Sequence, residues 1–237
     1  MLIKTKAIVI SALKFQDKNL IVRCFTQSDG IKSYFVRGAF SGRKSAQKIA
    51  YFQPLTLLEI EAVHKNKGTL EQFREVTMAD PLHSIHSDVA KSAIVLFLSE
   101  MLHQAVREEE RNEPLFAFLE TALHWLDHHA EIANFHLILL LETTKFLGFY
   151  PDVSHIDAPF FEMTEGVFSN FHAVSSLSEA DTALLRRLIA LRFDNGHKAF
   201  HVAERQQLLK ILIDYYAYHL DGFQKPKSLD VFREIFS

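Results

Sequence analysis

The periodicity of the apolar residues changes once along the chain, near Asp80-Pro81. Before this point, segments such as residues 2–13, LIKTKAIVISAL, alternate their side chains with the two-residue period of a β-strand. After it, segments such as residues 87–106, SDVAKSAIVLFLSEMLHQAV, space their apolar residues as one face of a helix does. The sequence therefore predicts a β domain over residues 1–80 and a helical domain over residues 81–237.

The first 80 residues contain five predicted strands. Asp29-Gly30 and the KNKG sequence at Lys65–Gly68 each provide a tight turn between two of them. Five short strands with hairpin turns match a five-stranded OB-type β-barrel, and an SH3-like barrel would satisfy the pattern almost as well. The predicted strands are LIKTKAIVISAL (2–13), NLIVRCFT (19–26), IKSYFVRG (31–38), AYFQPLTLLEIEAV (50–63) and TLEQFREVT (69–77).

The rest of the chain is predicted to be helical apart from one insert. Ser178 and Asp181 have the spacing of a helix N-terminal capping box, and Asn195-Gly196 is predicted to end that helix. The insert, at about residues 150–172, is irregular and has room for a small hairpin through Glu165-Gly166. We therefore predict an α+β fold, with an N-terminal five-stranded OB-type β-barrel followed by an all-helical C-terminal domain.

The formal net charge is −3, but the charge is unevenly distributed. Residues 1–80 hold 13 Lys and Arg against 7 Asp and Glu, whereas residues 81–237 hold 13 against 22. The basic N-terminal part suggests a polyanionic partner, and a solvated surface loop is the alternative. The single cysteine, Cys24, excludes an internal disulfide and a multi-cysteine metal site. With no signal peptide or membrane-spanning segment in the sequence, we expect a cytoplasmic protein.

The stretch from Lys32 to Lys48 holds five cations and no acid. Its glycines, Gly38 and Gly42, resemble a phosphate-binding loop, but three residues rather than four separate them and no helix is predicted to follow. Cations that neutralise phosphates next to aromatic side chains are instead typical of a nucleic-acid surface. The aromatic residues Tyr34, Phe35, Tyr51 and Phe52 divide between core and surface, and Phe40, inside the loop, is the best candidate for stacking on a base.

The sequence contains no convincing catalytic or metal-binding constellation. His124 and His128 share a helical face, but no His-Glu-x-x-His pattern accompanies them, so a solvated polar face is favoured. Cys24, inside a predicted strand, fits a small buried residue better than a reactive thiolate. We therefore expect neither an enzyme nor a resident metal or cofactor.

A series of residues and segments resembles one known family. The segments FQPLTLLEIEAV, GTLEQFREV, KFLGFYPDV and the closing YYAYHL and KSLDVFREI are all similar to the RecO family of bacterial DNA repair and recombination mediators. The resemblance spans essentially the whole chain. Within the N-terminal OB domain of that family, the matching positions are Thr26, Asp29, Gly30, Arg37, Gly38, Ala39 and Ser45.

The sequence departs from the family pattern at one place. Many members carry a four-cysteine zinc module just after the Leu-Gly-x-x-Pro motif, whereas the insert of this chain has no cysteine. His155 and His172 do not replace four thiolates, because two histidines do not complete a tetrahedral site. We therefore expect the insert to lack structural zinc.

The resemblance implies a DNA-binding recombination mediator of the RecF pathway. Such a protein binds single- and double-stranded DNA, anneals complementary single strands, and docks on the C-terminal tail of single-strand-binding protein. It also works with RecR to load RecA onto DNA coated with single-strand-binding protein. It is not an enzyme, and it is expected in the bacterial cytoplasm, associated with the nucleoid.

Carried over to this sequence, the resemblance places the DNA contacts on the basic OB segment, and the docking groove for the acidic tail on the helical domain. A cation must meet the carboxylates of that tail, and Arg186 and Arg187 are the residues we predict for it. The alternative to DNA binding is an interaction scaffold whose small barrel binds protein or RNA. The predicted DNA-binding residues are Lys32, Arg37, Phe40, Arg43, Lys44 and Lys48.

Overall fold

The structure is a computed structural model that describes residues 2–41, 49–65, 69–107, 110–195 and 199–236. The chain divides into two compact units, Met1–His128 and His129–Ser237, and each is described separately below. The first unit holds the five-stranded sheet and the first two helices. The domain boundary predicted near residue 80 therefore falls inside the first unit, and that boundary stays a prediction.

Five antiparallel strands form one sheet in the first unit. The order of the strands across the sheet is β3-β2-β1-β4-β5. Their bounds are β1 (Leu2–Phe15), β2 (Asn19–Thr26), β3 (Gly30–Val36), β4 (Leu57–Val63) and β5 (Gln72–Met78). An antiparallel five-stranded sheet followed by helices confirms the predicted fold class, an OB-type domain followed by helices.

The two edge strands of the sheet, β3 and β5, meet at a single point. Tyr34 and Glu71 form an isolated parallel bridge there. In this bridge the Phe35 N–H donates to the Glu71 carbonyl at 3.0 Å, and the Glu71 N–H donates to the Ser33 carbonyl at 2.8 Å. Within the described residues no continuous ladder joins the two edges, so the barrel is not closed.

The middle of β1, residues 7–10, is buried on both faces. Ala7 and Val9 point into the core of the barrel, where they pack with Val22 and Tyr34. Ile8 lies on the opposite face beside its pairing partner Phe25, and the Phe25 ring lies 5.8 Å from the ring of Phe116. Because one face meets the barrel interior and the other meets a helix, this segment is continuously apolar instead of alternating.

Strand β4 begins later than the sequence pattern predicts. The strand was expected from Ala50, but it begins at Leu57. Pro54 has no N–H to give to a ladder, and Leu55 adopts a positive φ of 57°, which a strand cannot contain. The backbone of Leu55 instead donates to the Val9 carbonyl at 2.7 Å and so ties this turn to β1.

After the sheet, the described residues of the first unit form two long helices, α1 (Val89–Ala105) and α2 (Glu113–His128). Asp88 caps α1, since its carboxylate accepts from the Lys91 N–H at 2.9 Å. The segment before α1 is tied to α2 through Asp127, whose carboxylate accepts from the N–H groups of His83 at 2.9 Å and Ser84 at 2.6 Å. Asp127 thus fixes the segment before α1 against the end of α2.

The second unit contains four α-helices, one short 3-10 helix (Phe193–Asn195) and a small hairpin within its described residues. The hairpin confirms the turn predicted at Glu165-Gly166. Ser178 caps α4 as predicted, with its hydroxyl accepting from the Asp181 N–H at 3.1 Å, but the helix ends at Ile189 and not at Asn195-Gly196. The elements are α3 (Phe135–Leu147), β6 (Phe160–Glu162), β7 (Val167–Ser169), α4 (Glu179–Ile189), α5 (Val202–His219) and α6 (Leu229–Ile235).

The hairpin turn packs closely against α5. Gly166 has a φ of 69°, and a Cβ at that position would lie 2.6 Å from the Tyr215 hydroxyl. That hydroxyl donates to the Phe149 carbonyl at 2.7 Å. Glycine is therefore required at position 166 both for its backbone conformation and for the space it leaves. Among the helices in the described ranges, none is long and apolar enough to cross a bilayer.

Candidate nucleic-acid interface

Three strands of the OB-type sheet end next to each other and carry apolar side chains toward solvent. Val22 and Tyr34 point into the core, so their chain neighbours Ile21 and Phe35 face outward. Leu13 pairs with Ile21, which pairs with Phe35, so these three residues line one face. We call the residues Leu13, Lys14, Phe15, Phe35, Arg37 and Phe40 the strand-end surface. Within it, Lys14 pairs with the core residue Leu20 and so lies on the opposite side of β1 from Leu13 and Phe15.

Two aromatic rings of the strand-end surface touch each other. Phe15, the last residue of β1, is 42% exposed, and its ring lies 6.1 Å from that of Phe35 at an interplanar angle of 80°. Such an edge-to-face pair leaves part of each ring uncovered. Uncovered aromatic faces on strands 1 to 3 of an OB-type sheet are well suited to stacking on unpaired bases.

Phe40 lies in a turn that is fixed by hydrogen bonds. Gly38, with a φ of 63°, donates its N–H to the Asn19 side-chain carbonyl at 3.0 Å, and Phe40 donates its N–H to the Lys18 carbonyl at 3.2 Å. Ala39 between them is fully buried, which anchors the turn. The Phe40 ring is 38% exposed, and the Lys14 ammonium lies 5.5 Å from its centre. A cation and an aromatic face are thus held side by side.

The cations predicted for DNA contact have different positions. Arg37 is exposed and follows directly after β3, at the margin of the strand-end surface. Lys14 and Lys18, which the sequence pattern did not single out, are exposed near the same margin. Arg43, Lys44 and Lys48 lie outside the described residues, so their role stays a prediction.

Lys32 points into the barrel. It is only 6% exposed and pairs with the core residue Cys24 across β2 and β3. Lys32 lies on the same face of β3 as Tyr34, whose hydroxyl is 2.7 Å from Nε2 of His64. Burial lowers the pKa of His64, although Asp29 and Glu71 act against it. An ammonium in this position does not face solvent, so we leave Lys32 out of the interface that we propose.

The aromatic residues near the basic segment divide as follows. Tyr34 and Phe52 are core residues, and Phe73 stacks on both rings, with centre distances of 4.0 Å and 5.8 Å. Phe35 and Phe40 reach the surface. The sequence pattern misses Phe15 because it ends the first strand two residues earlier, at Leu13. By alternation from Val9 both Leu13 and Phe15 would face the core, but a β-bulge between Val9 and Ser11 turns them to the opposite face, and no feature of the sequence signals that reversal.

The two arginines predicted to meet an acidic tail are engaged inside the second unit. Arg186 donates from Nε to the Ile156 carbonyl at 2.6 Å and from Nη2 to the Ala158 carbonyl at 2.9 Å. Arg187 donates to the Glu204 carboxylate at 2.6 Å. Arg186 therefore fixes the insert in place, and Arg187 already has an anionic partner.

No group of three or more His, Cys, Asp and Glu side chains that could hold a metal ion occurs in the described part of the chain. His128 is hydrogen-bonded through Nδ1 to the His124 carbonyl at 2.7 Å, which gives that imidazole a structural role. Burial raises the pKa of the Cys24 thiol, which is the opposite of what a reactive thiolate needs. The predicted lack of zinc and of catalysis stays a prediction.

Comparison with known proteins decides the family. A family model described as Recombination protein O N terminal matches residues 1–82, and one described as Recombination protein O C terminal matches residues 86–230. The chain belongs to the RecO family. The resemblance seen in the sequence is thereby confirmed, and membership places the chain among DNA repair and recombination proteins.

Individual RecO proteins are similar over the full length of both chains. The DNA repair protein RecO of Flavobacterium psychrophilum is 71% identical over 238 residues, and that of Flavobacterium johnsoniae is 69% identical over 237 residues. The RecO of Christiangramia forsetii is 42% identical over 238 residues. In each case the match covers 100% of this chain and 100% of the relative.

Proposed function

We propose that this RecO-family protein binds DNA through its OB-type sheet and anneals complementary single strands, and that it thereby helps to load RecA onto DNA coated with single-strand-binding protein. The observation that carries the proposal is the strand-end surface. There Phe15, Phe35 and Phe40 are accessible, Phe40 lies beside Lys14, and Arg37 follows directly after the strand that carries Phe35. Aromatic faces next to cations provide both base stacking and phosphate neutralisation.

The surface favours unpaired bases for a physical reason. In a duplex the base faces are covered by neighbouring bases, so Phe15 and Phe40 can stack only on a strand whose bases are free. Binding to duplex DNA would rest on the cations alone. Arg37 and the predicted contacts Arg43, Lys44 and Lys48 would neutralise phosphates of either form of DNA. The protein would therefore bind both forms and hold a single strand with its bases in contact with the sheet.

The proposed activity is one of binding and not of covalent chemistry. We propose that the partners are single-strand-binding protein, through its C-terminal tail, and RecR. The tail would dock on the helical part of the chain. The internal contacts of Arg186 and Arg187 make other cations of the second unit better candidates for that role. The site of action would be the bacterial cytoplasm, in association with the nucleoid.

The proposal is tested by fluorescence anisotropy of a labelled single-stranded oligonucleotide, titrated with the full chain at two salt concentrations. We expect binding that weakens as salt rises, because each phosphate contact releases counterions, with a slope of about 0.7 per contact on a single strand. Arg37→Ala should lower that slope by one contact.

Annealing is measured separately, with two complementary strands each coated with single-strand-binding protein. The full chain should accelerate duplex formation, and the Arg37→Ala variant should do so less at the same concentration. No DNA binding near physiological salt would contradict the proposal and favour a scaffold that binds protein or RNA.

A further inference from the structure

The second unit contains a cavity that is lined mainly by charged side chains. It lies between α5 and α6 and has a volume of about 270 Å³. We call it the α5–α6 cavity. A volume of this size has room for a hydrated anion. Its charged lining residues are Lys210, Asp214, Lys225, Asp230 and Arg233.

The three cations of the cavity come from two helices and the loop between them. Lys210 lies in α5, Arg233 lies in α6, and Lys225 lies in the loop that joins these helices. The lining residues Ile213, Pro226 and Leu229 are buried, so the floor of the cavity is fixed. Lys210 and Lys225 are exposed and Arg233 is half-buried, which leaves all three cationic groups within reach of a ligand.

The charges in the cavity are not used within the protein. Across the described ranges, no ion pair or side-chain hydrogen bond engages Lys210, Asp214, Lys225, Asp230 or Arg233. Three cations against two carboxylates leave a local excess of positive charge in a part of the chain that is acidic overall. Unpaired cations that surround one cavity provide the electrostatic attraction that an anion needs.

We propose that the α5–α6 cavity binds a phosphate group of a nucleic-acid backbone. A phosphodiester carries one negative charge, which matches the excess of one cation over the carboxylates in the lining. An acidic peptide would bring several carboxylates next to Asp214 and Asp230, and the repulsion would offset part of its attraction. The lining contains no aromatic ring on which a base could stack, so the contact would be with the backbone and independent of sequence.

The inference deepens the proposed function and rests on it for the identity of the nucleic acid as DNA. A single chain can anneal complementary strands by contacting two strands at once. The strand-end surface of the first unit takes one strand by stacking, and the α5–α6 cavity of the second unit takes backbone phosphate of another. The chain would then bind more than one short oligonucleotide.

The test is a stoichiometric titration of the full chain with a fluorescein-labelled oligonucleotide of about six nucleotides, within the site size of one OB fold. Wild type should bind two oligonucleotides per chain, and the double variant Lys210→Ala/Arg233→Ala should bind one. The salt dependence of binding should have a slope about 1.4 smaller for this double variant than for wild type, because two phosphate contacts on a single strand are lost. Lys227→Ala removes an exposed lysine of the same segment that does not line the cavity, and it should bind as wild type does.

A second double variant, Lys210→Gln/Arg233→Gln, removes the charges but keeps longer polar side chains than alanine. It should show the same loss, provided that its thermal unfolding matches that of wild type. The inference is overturned if either double variant binds two oligonucleotides with the slope of Lys227→Ala. It is also overturned if an acidic peptide, and not the oligonucleotide, binds in a manner that depends on Lys210 and Arg233. The Phe15→Ala/Phe35→Ala variant separates the proposal for the strand-end surface from the proposal for the α5–α6 cavity. If this variant still binds two oligonucleotides with unchanged affinity, the result contradicts the strand-end surface and leaves the cavity untouched.

Discussion

The carboxylate oxygen Oδ1 of Asp127 accepts a hydrogen bond from the backbone N–H of Ser84 at 2.6 Å. The same carboxylate accepts from the N–H groups of His83 and Ile85, and the Lys91 ammonium donates to the Asp127 carbonyl at 2.8 Å. One side chain near the end of α2 therefore satisfies the backbone of the segment that connects the sheet to α1.

Replacing Asp127 by alanine should lower the free energy of unfolding by about 3 kcal/mol, because backbone donors of Ser84 and Ile85 lose their acceptor. The measurement is urea denaturation followed by circular dichroism. Glu75→Ala, at an exposed carboxylate on β5, is the control and should change stability by less than about 0.5 kcal/mol. Equal stabilities of the two variants would show that the hydrogen bonds of Asp127 contribute nothing.

Asp127 should also make stability depend on acid pH. Burial alone would raise its pKa, but the hydrogen bonds from His83, Ser84 and Ile85 lower it from 3.8 to about 2. A depressed folded-state pKa gives a contribution that is complete above pH 3.8 and is lost as the pH falls toward 2. Over that window wild type should lose about 2 kcal/mol more than Asp127→Asn. Parallel pH profiles of the two proteins would contradict the assignment.

The double variant Phe15→Ala/Phe35→Ala should weaken binding of single-stranded DNA by about tenfold or more for each base that stacks, with little change for duplex DNA. Met78→Ala, which shortens an exposed apolar side chain at another strand end of the sheet, should leave both affinities unchanged. Anisotropy at a fixed salt concentration gives the two constants. An equal loss for single strands and duplex would point to a general effect on the sheet and not to stacking.

Gly166→Ala should destabilise the second unit by about 2–3 kcal/mol, for two reasons. Alanine is strained at a positive φ, and its methyl group would collide with the Tyr215 hydroxyl. Gly222, with a φ of 66°, has nothing within 4 Å of the position of a Cβ. Gly222→Ala should therefore show only the backbone cost of about 1–2 kcal/mol. Thermal unfolding of both variants checks the difference, and identical losses would mean that Tyr215 moves aside freely.

Arg186→Ala and Arg187→Ala should differ although the residues are neighbours. Arg186 donates to two carbonyls of the insert, so its loss should cost about 2–3 kcal/mol and accelerate hydrogen exchange at residues 150–172. Arg187 pairs with Glu204 at the surface, and its loss should cost less than about 1 kcal/mol. Hydrogen exchange followed by mass spectrometry resolves the insert. Unchanged exchange in Arg186→Ala would show that other contacts hold the insert.

The features that the sequence predicts well are those with a local cause. The alternation in β1, the turn at Asp29-Gly30 and the hairpin at Gly166 depend on side chains and glycines that lie next to each other in the chain. The family resemblance rests on such local segments as well. For the same reason, the late start of β4 could have been expected from Pro54.

The features that the sequence does not predict depend on residues far apart. Whether Phe35 or Tyr34 faces solvent is decided by the register between β2 and β3, and not by either residue alone. Lys32 is on the buried face for the same reason. Arg186 is a cation of the kind that binds anionic ligands. The carbonyl groups that it contacts, those of Ile156 and Ala158, lie about thirty positions away in the chain. Contacts of this kind leave no periodic signal in the sequence.

The contact between Phe25 and Phe116 has a consequence for how such a chain can be divided or recombined. A fragment cut at residue 80 would keep the sheet but expose Phe25 and Ile8 on the face that α2 covers, and such an apolar face promotes aggregation. We therefore expect the β-sheet to aggregate when it is produced without these helices. Any exchange of the N-terminal part between relatives has to carry the first two helices with it, as far as His128.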